Sequence, residues 1–514
     1  MKKKYSVLKE VFDGFLAGAV TPEVLKPVAA PFGIYQQRNG HFMLRVRVSG
    51  GEVTCEKLAG IADILDATGG HVHLTTRQDI QLHNVSAAQV LDAVVASDRL
   101  GLPFKGGGGN TYRNILVGSD SGLAADAVFD VYPYARALNR AMQKCEKAFA
   151  LPRKFKIGIF ASERDRLRAA VQDLGFIARQ RDGQAGFSVF VAGGLGRESS
   201  VGFELVAFLP ASQIVRATLA LIAFYYDHGE RANRHQARLR FLLKRLGAEA
   251  FQRLYLEYFA QTAASVVAIQ AGDLLGALAQ GLKRGRVVTP VEGFAWWEQI
   301  AVLPTRFGDT VKSVRLFVPY GNLDAEQLRK IAALAKDYGS PAVRLLVTQD
   351  ILIPLVHGSA LAGLYKRLRQ ELAGIDLTFG SYKGHLVTCV GASVCKIGIA
   401  DSPAAGDAIA ALLDRYLPPN TPEKLTLLKE VADNLRISGC LNACAGHPAA
   451  KIGIECSRRR EGEVLKTVGV VFAGAGLGEH GEARLAERLP DEPVPLEQLG
   501  QKVMELVSQG AHQR

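Results

Sequence analysis

The sequence predicts an α+β protein of two pseudo-twofold-related halves, each a small α+β half-domain followed by a larger α/β domain. Three observations predict it. HVHLTTRQDIQLHNV, starting at His71, returns 271 residues later as AVRLLVTQDILIPLV, starting at Ala342. Within that pair Val72 matches Val343, Leu74 matches Leu345, and Gln78-Asp79-Ile80 matches Gln349-Asp350-Ile351. The strands before them also correspond, FMLRVRVSGG around Leu44 with SVRLFVPYGN around Leu316. The segments C-terminal to the two copies match in kind: a stretch rich in glycine or cysteine, a helix, then LPRKFKIGIFAS in one half and LRISGCLNACAGHPAAKIGI in the other. Internal repetition on this scale is read before local detail, because it fixes the architecture.

In chain order, residues 1–35 form an extension with helical character. Residues 36–105 and 301–380 are the two small half-domains, each reading strand, helix, strand. Their helices, TCEKLAGIADILDATG and DAEQLRKIAALAKDYG, carry apolar residues at helical spacing and end on glycine. Residues 106–300 and 381–514 are the larger domains, the latter with a charged, proline-containing tail from about Gly476. The stretch Gly285 to Gly308, with Pro290, Pro304 and two tryptophans, connects the halves. VAGGLGRES is glycine-rich but lacks a GxGxxG opening a helix, and no GxxxxGK[ST] occurs, which argues against a built-in nicotinamide or flavin domain.

The 514 residues, 48% hydrophobic and 22% charged, suit a globular chain of several domains. MKKKYSVLKEVFDG has no apolar run behind its lysines and is not read as a secretory signal. No stretch approaches eighteen uncharged apolar residues. The expectation is a cytoplasmic protein with no membrane partner. The net charge of +12 is spread along the chain, without a dense Lys/Arg run interleaved with aromatics. That argues against nucleic acid as a partner and suits an acidic protein or an acidic cofactor.

Of the seven cysteines, Cys55, Cys145 and Cys456 read as small buried hydrophobes. The other four fall into C-x5-C (Cys389, Cys395) and C-x3-C (Cys440, Cys444). A structural zinc site usually spaces paired ligands by two to four residues, so the first gap is outside the pattern. An iron–sulfur cluster takes four thiolates from loops of sufficient reach. The small residues Gly391, Ala392, Ser393, Gly439, Ala443 and Gly446 let backbone N–H groups approach sulfur. Cluster, zinc staple and unligated thiols stand as alternatives on spacing alone, with the cluster ahead.

Cations gather elsewhere. Taken as one strand from His71, the alternation puts His71, His73, Thr75 and Arg77 on one face and Val72 and Leu74 on the other. Such a face fits an anion, or else a solvated sheet face. Lys154 and Lys156, two apart in LPRKFKIG, share a face as well. Arg45 and Arg47 read equally as solvated strand residues or as partners of an acidic group.

GIYQQRNGHFMLRVRVSGG, HLTTRQDIQLHNV, GGGGNTYRN, LPRKFKIG, GERANRHQARLRFLLKRLG, TCVGASVC and GCLNAC lie in order from about Gly33 to Gly476. Together they resemble the sirohaem-dependent sulfite and nitrite reductases. The resemblance implies ferredoxin-like small half-domains and larger domains that hold a sirohaem and a [4Fe–4S] cluster. It implies cluster ligands Cys389, Cys395, Cys440 and Cys444, with Cys444 also bridging to the sirohaem iron. It implies substrate contacts from Arg77, Arg113, Lys154 and Lys156, and macrocycle or cluster contacts from Asn442, Gln78, Gln349, Arg45 and Arg47. Sirohaem carries eight carboxylates, a second reason for a basic chain.

The implied reaction is six-electron reduction of sulfite to sulfide, with nitrite to ammonium as the alternative. Lysine at 156, where nitrite-specialised relatives often have asparagine, leans towards sulfite. The expected partners are a small oxyanion and a separate electron donor: ferredoxin, flavodoxin or a flavoprotein subunit. The reading from another class is a zinc-stapled, basic nucleic-acid-binding protein. Relatives' last motif is closer to GCPNxCG, so Leu441 and Ala445 are departures, and Thr348 stands where the second repeat lacks an equivalent of Arg77.

Overall fold

The computed structural model describes residues 2–263, 273–282, 284–285, 288–372, 375, 381–416 and 421–509. Residues 286–287 of the expected connection and 510–514 of the tail lie outside the described residues. Strands of the first half are β1 (Ile34–Gln36), β2 (Phe42–Val46), β3 (Glu52–Thr54), β4 (His71–Leu74), β5 (Ile80–Val85), β6 (Tyr112–Val117), β7 (Phe155–Phe160), β8 (Leu174–Arg181), β9 (Gln184–Val191) and β10 (Phe203–Pro210). Those of the second are β11 (Val302–Thr305), β12 (Gly308–Leu316), β13 (Asn322–Leu323), β14 (Ala342–Leu345), β15 (Ile351–His357), β16 (Val387–Thr388), β17 (Leu435–Ser438), β18 (Ile452–Glu461) and β19 (Val464–Ala473).

The N-terminal extension forms helices Ser6–Leu16 and Pro22–Ala29. Phe12 and Phe15 meet the ring of Phe42 edge-on, 5.2 and 5.8 Å between centres, and so fasten the extension to β2. The small sheets then exchange strands. The first runs β1-β2-β5-β4-β13, so its last strand comes from the second half. The second runs β11-β12-β15-β14-β3, so its last strand comes from the first half. Asn322 pairs with His73 on one side, and Thr54 pairs with Ala342 on the other. Segments 36–105 and 301–380 therefore do not close separately. Their helices, Cys55–Thr68 and Ala325–Asp337, are capped alike: Thr54 accepts from Lys57 N–H, Asp324 from Gln327 N–H.

The larger sheets share one topology. β6, β7 and β8 run parallel, and β9 and β10 follow antiparallel; β16, β17 and β18 run parallel, and β19 follows antiparallel. Inward residues Leu44, Val46, Val72, Leu74, Ile80 and Leu82 are buried in a core that extends into the second half. Each contributes about 1.5–3 kcal/mol of transfer free energy.

Two glutamines in left-handed backbone conformation pin the halves together. Gln78 (φ 58°) donates from Nε2 to Leu345 O at 2.9 Å and Val117 O at 2.8 Å, and its Oε1 accepts from Val117 N–H. Gln349 (φ 66°) donates from Nε2 to Leu74 O at 3.1 Å, and its Oε1 accepts from Thr388 N–H. Leu74 and Leu345 are repeat equivalents, so each half's glutamine closes on the other half's matching carbonyl.

Candidate active site

The strand from His71 ends at Leu74, not at Arg77. Thr75 Oγ1 accepts from Arg77 N–H and Asp79 N–H, and Thr75 N–H donates to Asp79 O. The hydroxyl braces this turn but does not create it, because the same backbone turn follows β14, where Leu346 N–H donates to Asp350 O at 2.9 Å. The expected single face of His71, His73, Thr75 and Arg77 does not form. His73 bonds Asn322 and Gln349, while His83 bonds Gln37 and Gln81 and stacks on His71. Burial brings His73 down to about 4 and His83 well below the usual imidazole range, so these rings are neutral at pH 7 and make no anion site.

The turn instead carries Arg77 across to the first large sheet. Its Nη1 donates to Gln172 Oε1 (2.9 Å) and its Nη2 to Ile157 O (2.8 Å), with Nε left without a partner. Arg113 lies in β6, and its Nη1 and Nη2 cap the carbonyls of Gly108, Thr111 and Gly109 at 2.8–3.0 Å. Burial lowers Arg77 to about 10 and Arg113 to about 9. Lys156 is in β7 and Lys154 stands just before it. Neither ammonium has a hydrogen-bond or ion-pair partner among the described residues. Burial, then Arg238, pulls Lys154 down to about 7, and burial, then Arg77, pulls Lys156 well below the usual lysine range. The structure thus brings all four predicted cations into one wall, with Arg113 buried and Arg77, Lys154 and Lys156 half-buried.

The cysteines sit at the ends of the parallel pair β16 and β17, where Thr388 is in register with Ile437. Cys389 follows β16, and its Sγ accepts from Gly439 N–H at 3.2 Å and lies 3.1 Å from Ser402 Oγ. Asn442 Nδ2 donates to Cys440 Sγ at 3.5 Å. Ala443 (φ 52°) bends the loop, and Ala445 N–H donates to Ser438 Oγ at 3.2 Å to close it on β17; Leu441 is exposed. Burial first, then Cys444, pushes the Cys389 thiol up to about 11. Burial also raises Cys440, with Cys444 and Cys395 adding to it against the N–H groups of Asn442. Cys444 thus lies within electrostatic reach of Cys389 and Cys440, and Cys395 of Cys440, and a metal centre must displace the Cys389 and Cys440 protons to bind.

A zinc staple needs its ligands gathered on one ion. Among the described residues, no three His, Cys, Asp or Glu side chains form such a set. A [4Fe–4S] cube places each thiolate on its own iron, so its ligands stand farther apart. Backbone and amide N–H groups directed at Cys389 and Cys440 sulfur suit that cluster.

One contact joins wall and loop: Thr76 Oγ1, beside Arg77, donates to Cys444 O at 2.8 Å. Cys444 and Lys154 also lie within electrostatic reach of each other. Of the other candidates, Arg45 reaches Gly107 O at 2.9 Å beside Arg113's glycine loop. Arg47 is 2% exposed and committed inward, to Lys105 O, Tyr112 Oη and Asn139, with its guanidinium 4.2 Å from the Tyr112 ring centre. Gln78 and Gln349 serve the inter-half locks. Sequence reasoning missed Gln172, Asp173, Arg238 and Arg240. Arg240 has buried Nε and Nη1 atoms without partners, donors of the kind a macrocycle rich in carboxylates satisfies. The signal was present in ARLRFLLKRLG, where two arginines two apart open an amphipathic helix, Arg238 as its cap and Arg240 in its first turn.

Known proteins share this arrangement of domains. The model of the nitrite and sulphite reductase 4Fe-4S domain matches residues 108–263. That of the nitrite/sulfite reductase ferredoxin-like half domain matches residues 35–95 and 304–371. All four cysteines lie outside these ranges, while Arg45, Arg77, Arg113, Lys154 and Lys156 lie inside them. The chain is 27% identical over 474 residues to a ferredoxin–nitrite reductase of Synechococcus elongatus, covering 88% of this chain and 85% of that one. It is 27% identical over 497 residues to an assimilatory ferredoxin-dependent nitrite reductase of Haloferax mediterranei, covering 90% and 80%. It is 26% identical over 451 residues to a sulfite reductase [NADPH] hemoprotein beta-component of Acidithiobacillus ferrooxidans, covering 80% and 74%. The fold is that of the Mycobacterium tuberculosis NirA structure, with a TM-score of 0.80, 21% identity, and 99% of this chain and 91% of that one covered. Among the described residues no helix is long and apolar enough to cross a membrane. With both of the family's domain types matched along the chain, the chain belongs to the sirohaem- and [4Fe–4S]-dependent nitrite and sulphite reductases, a family of oxidoreductases.

Proposed function

We propose that the chain reduces nitrite to ammonium by six electrons, with sulfite to sulfide as the second reading. The observation that carries a reductase site is the Thr76 Oγ1–Cys444 O hydrogen bond of 2.8 Å, which sets the cation wall against the cluster loop. Cys389, Cys395, Cys440 and Cys444 would hold the cluster, and Cys444 would also serve the sirohaem. When bound, cluster and sirohaem supply electrons one at a time. The chain's own residues do the rest. Arg77 and Arg113, held by carbonyls and Gln172, give the wall fixed positive charge, and the free ammoniums of Lys154 and Lys156 meet the oxyanion and deliver protons. Asn442 and Arg45 are proposed cofactor contacts; Arg47, Gln78 and Gln349 support the site from within the protein.

The sequence expectation ranked sulfite first, on Lys156. The two 27%-identical relatives, from Synechococcus and Haloferax, are both nitrite reductases, which reverses the order. Lys156 and the sulfite reductase relative keep sulfite as the second reading. The donor proposed is an acidic carrier of the ferredoxin type, matching the +12 charge of the chain. An absorption spectrum with iron and acid-labile sulfide analysis, then turnover with reduced viologen, tests the proposal. A sirohaem Soret band, a red band and a higher kcat/KM for nitrite are expected. A colourless zinc protein overturns the reductase, and a higher kcat/KM for sulfite reverses the order.

A further inference from the structure

Behind the wall stand two side chains that no sequence pattern singled out. Gln172 and Asp173 lie between the helix Arg166–Ala170 and β8. Asp173 is 0% exposed and uses both oxygens. Its Oδ1 accepts from Arg238 Nε at 3.1 Å, and its Oδ2 accepts from Arg238 Nη2 at 2.7 Å and from Lys156 N–H at 2.8 Å. Gln172 Oε1 accepts from Arg77 Nη1 at 2.9 Å while its Nε2 donates to Arg168 O at 2.9 Å, which fixes the amide's orientation. These neighbours thus hold three separate stretches of chain: the Thr75–Asp79 turn, β7, and the approach to the helix Leu239–Leu246.

Arg77, Lys154, Lys156 and Arg238 converge in a half-buried space, and like charges there repel. Asp173 supplies a counter-charge that favours the charged forms of Arg77 and Lys156. Its placement is selective. It takes Arg238 with both oxygens but meets Lys156 only through the main chain, so the ammonium is not paired off.

We propose that Asp173, assisted by Gln172, is the positioning residue of the oxyanion wall: together they engage Arg238 and Arg77 and leave the Lys154 and Lys156 ammoniums free for substrate. This deepens the proposed oxyanion reductase function and rests on it. With Asp173 neutral, Arg238 is released into the anion's space and competes with the lysines.

The test uses holoenzyme, with kcat and KM expressed per bound sirohaem. Asp173→Asn is expected to lower kcat tenfold or more with KM unchanged or lower, the split expected when an anion is held in an unproductive place. Gln172→Leu, which leaves the Asp173–Arg238 pair intact, is expected to lower kcat/KM at least threefold at unchanged sirohaem content, and it decides the matter should Asp173→Asn not accumulate as holoenzyme. Wild-type kcat and KM per sirohaem in these variants, with only cofactor content reduced, overturns the positioning role. Lys156→Ala separates the two levels. Wild-type turnover there sinks the oxyanion reading itself, whereas lost turnover there beside intact Asp173 and Gln172 variants sinks only the positioning role.

Discussion

Asp79 and Asp350 occupy the same place in the two repeats under different conditions. Asp350 accepts from Arg315 Nε at 3.0 Å and Val318 N–H at 2.9 Å. Asp79 keeps a buried Oδ1 with no partner, because Arg45, at Arg315's position, reaches Gly107 O instead. Burial pushes Asp79 up to about 6, against the pull of Arg45, Arg47 and Arg77. A carboxyl raised in the folded state costs stability as pH rises from its unfolded value near 4 through about 6. Asp79→Asn is therefore expected to stabilise the protein at pH 7.5 by about 2–3 kcal/mol and to have no effect at pH 3.5, read from urea midpoints. His73 has the opposite sign. Its ring is depressed to about 4, so its contribution is full above the unfolded value of 6.5 and is lost as pH falls from there to about 4. His73→Gln should flatten the acid limb of the same curve by about 3 kcal/mol, and an unchanged limb counts against a neutral buried ring.

The turns following β4 and β14 show where sequence reading stopped. The duplication was visible because the apolar positions and the Gln-Asp-Ile triplet recur at one offset, and a resemblance spread over seven stretches pointed to the four proposed cluster cysteines and the four cations. The turn itself was not visible. HVHLTTR alternates like a strand, and the Thr75–Asp79 turn that breaks it recurs at Leu346–Asp350 without that threonine hydroxyl, so no side-chain type announces it. Nor was the Asp173–Arg238 pair, whose members are 65 residues apart and share no local pattern. The glycines facing these turns are strict requirements. Gly51 (φ +73°) and Gly321 (φ +71°) approach the lock glutamines so closely that a Cβ would stand 2.7 Å from Gln78 Cβ or 2.7 Å from Leu74 O. Gly51→Ala and Gly321→Ala are each expected to cost about 2 kcal/mol or more, from left-handed strain plus the displaced glutamine. A loss below about 0.5 kcal/mol by chemical denaturation, within the range of an ordinary surface change, would show that the locks yield freely.

Across the molecule, exchange of β3 and β13 makes the two halves one folding unit. A chain cut after residue 300 lacks β13, leaves β4 without its edge partner, and leaves β3 with no sheet to join. Such a fragment is expected to show no cooperative thermal transition, whereas the full chain shows a single one. Two separated transitions in calorimetry of the full chain would contradict this.

The same exchange sets a timetable during synthesis. His73 waits for Asn322, 249 residues later in the chain. At ribosomal rates of about 5–20 residues per second, that edge stays open on the order of 10–50 s. An open edge is a template for pairing with other chains, so the nascent protein passes through its period of greatest aggregation risk before its second half exists. The proposed cluster ligands arrive later still, ending with Cys444. Loading of metal is thereby deferred until the protein that must surround it has been made.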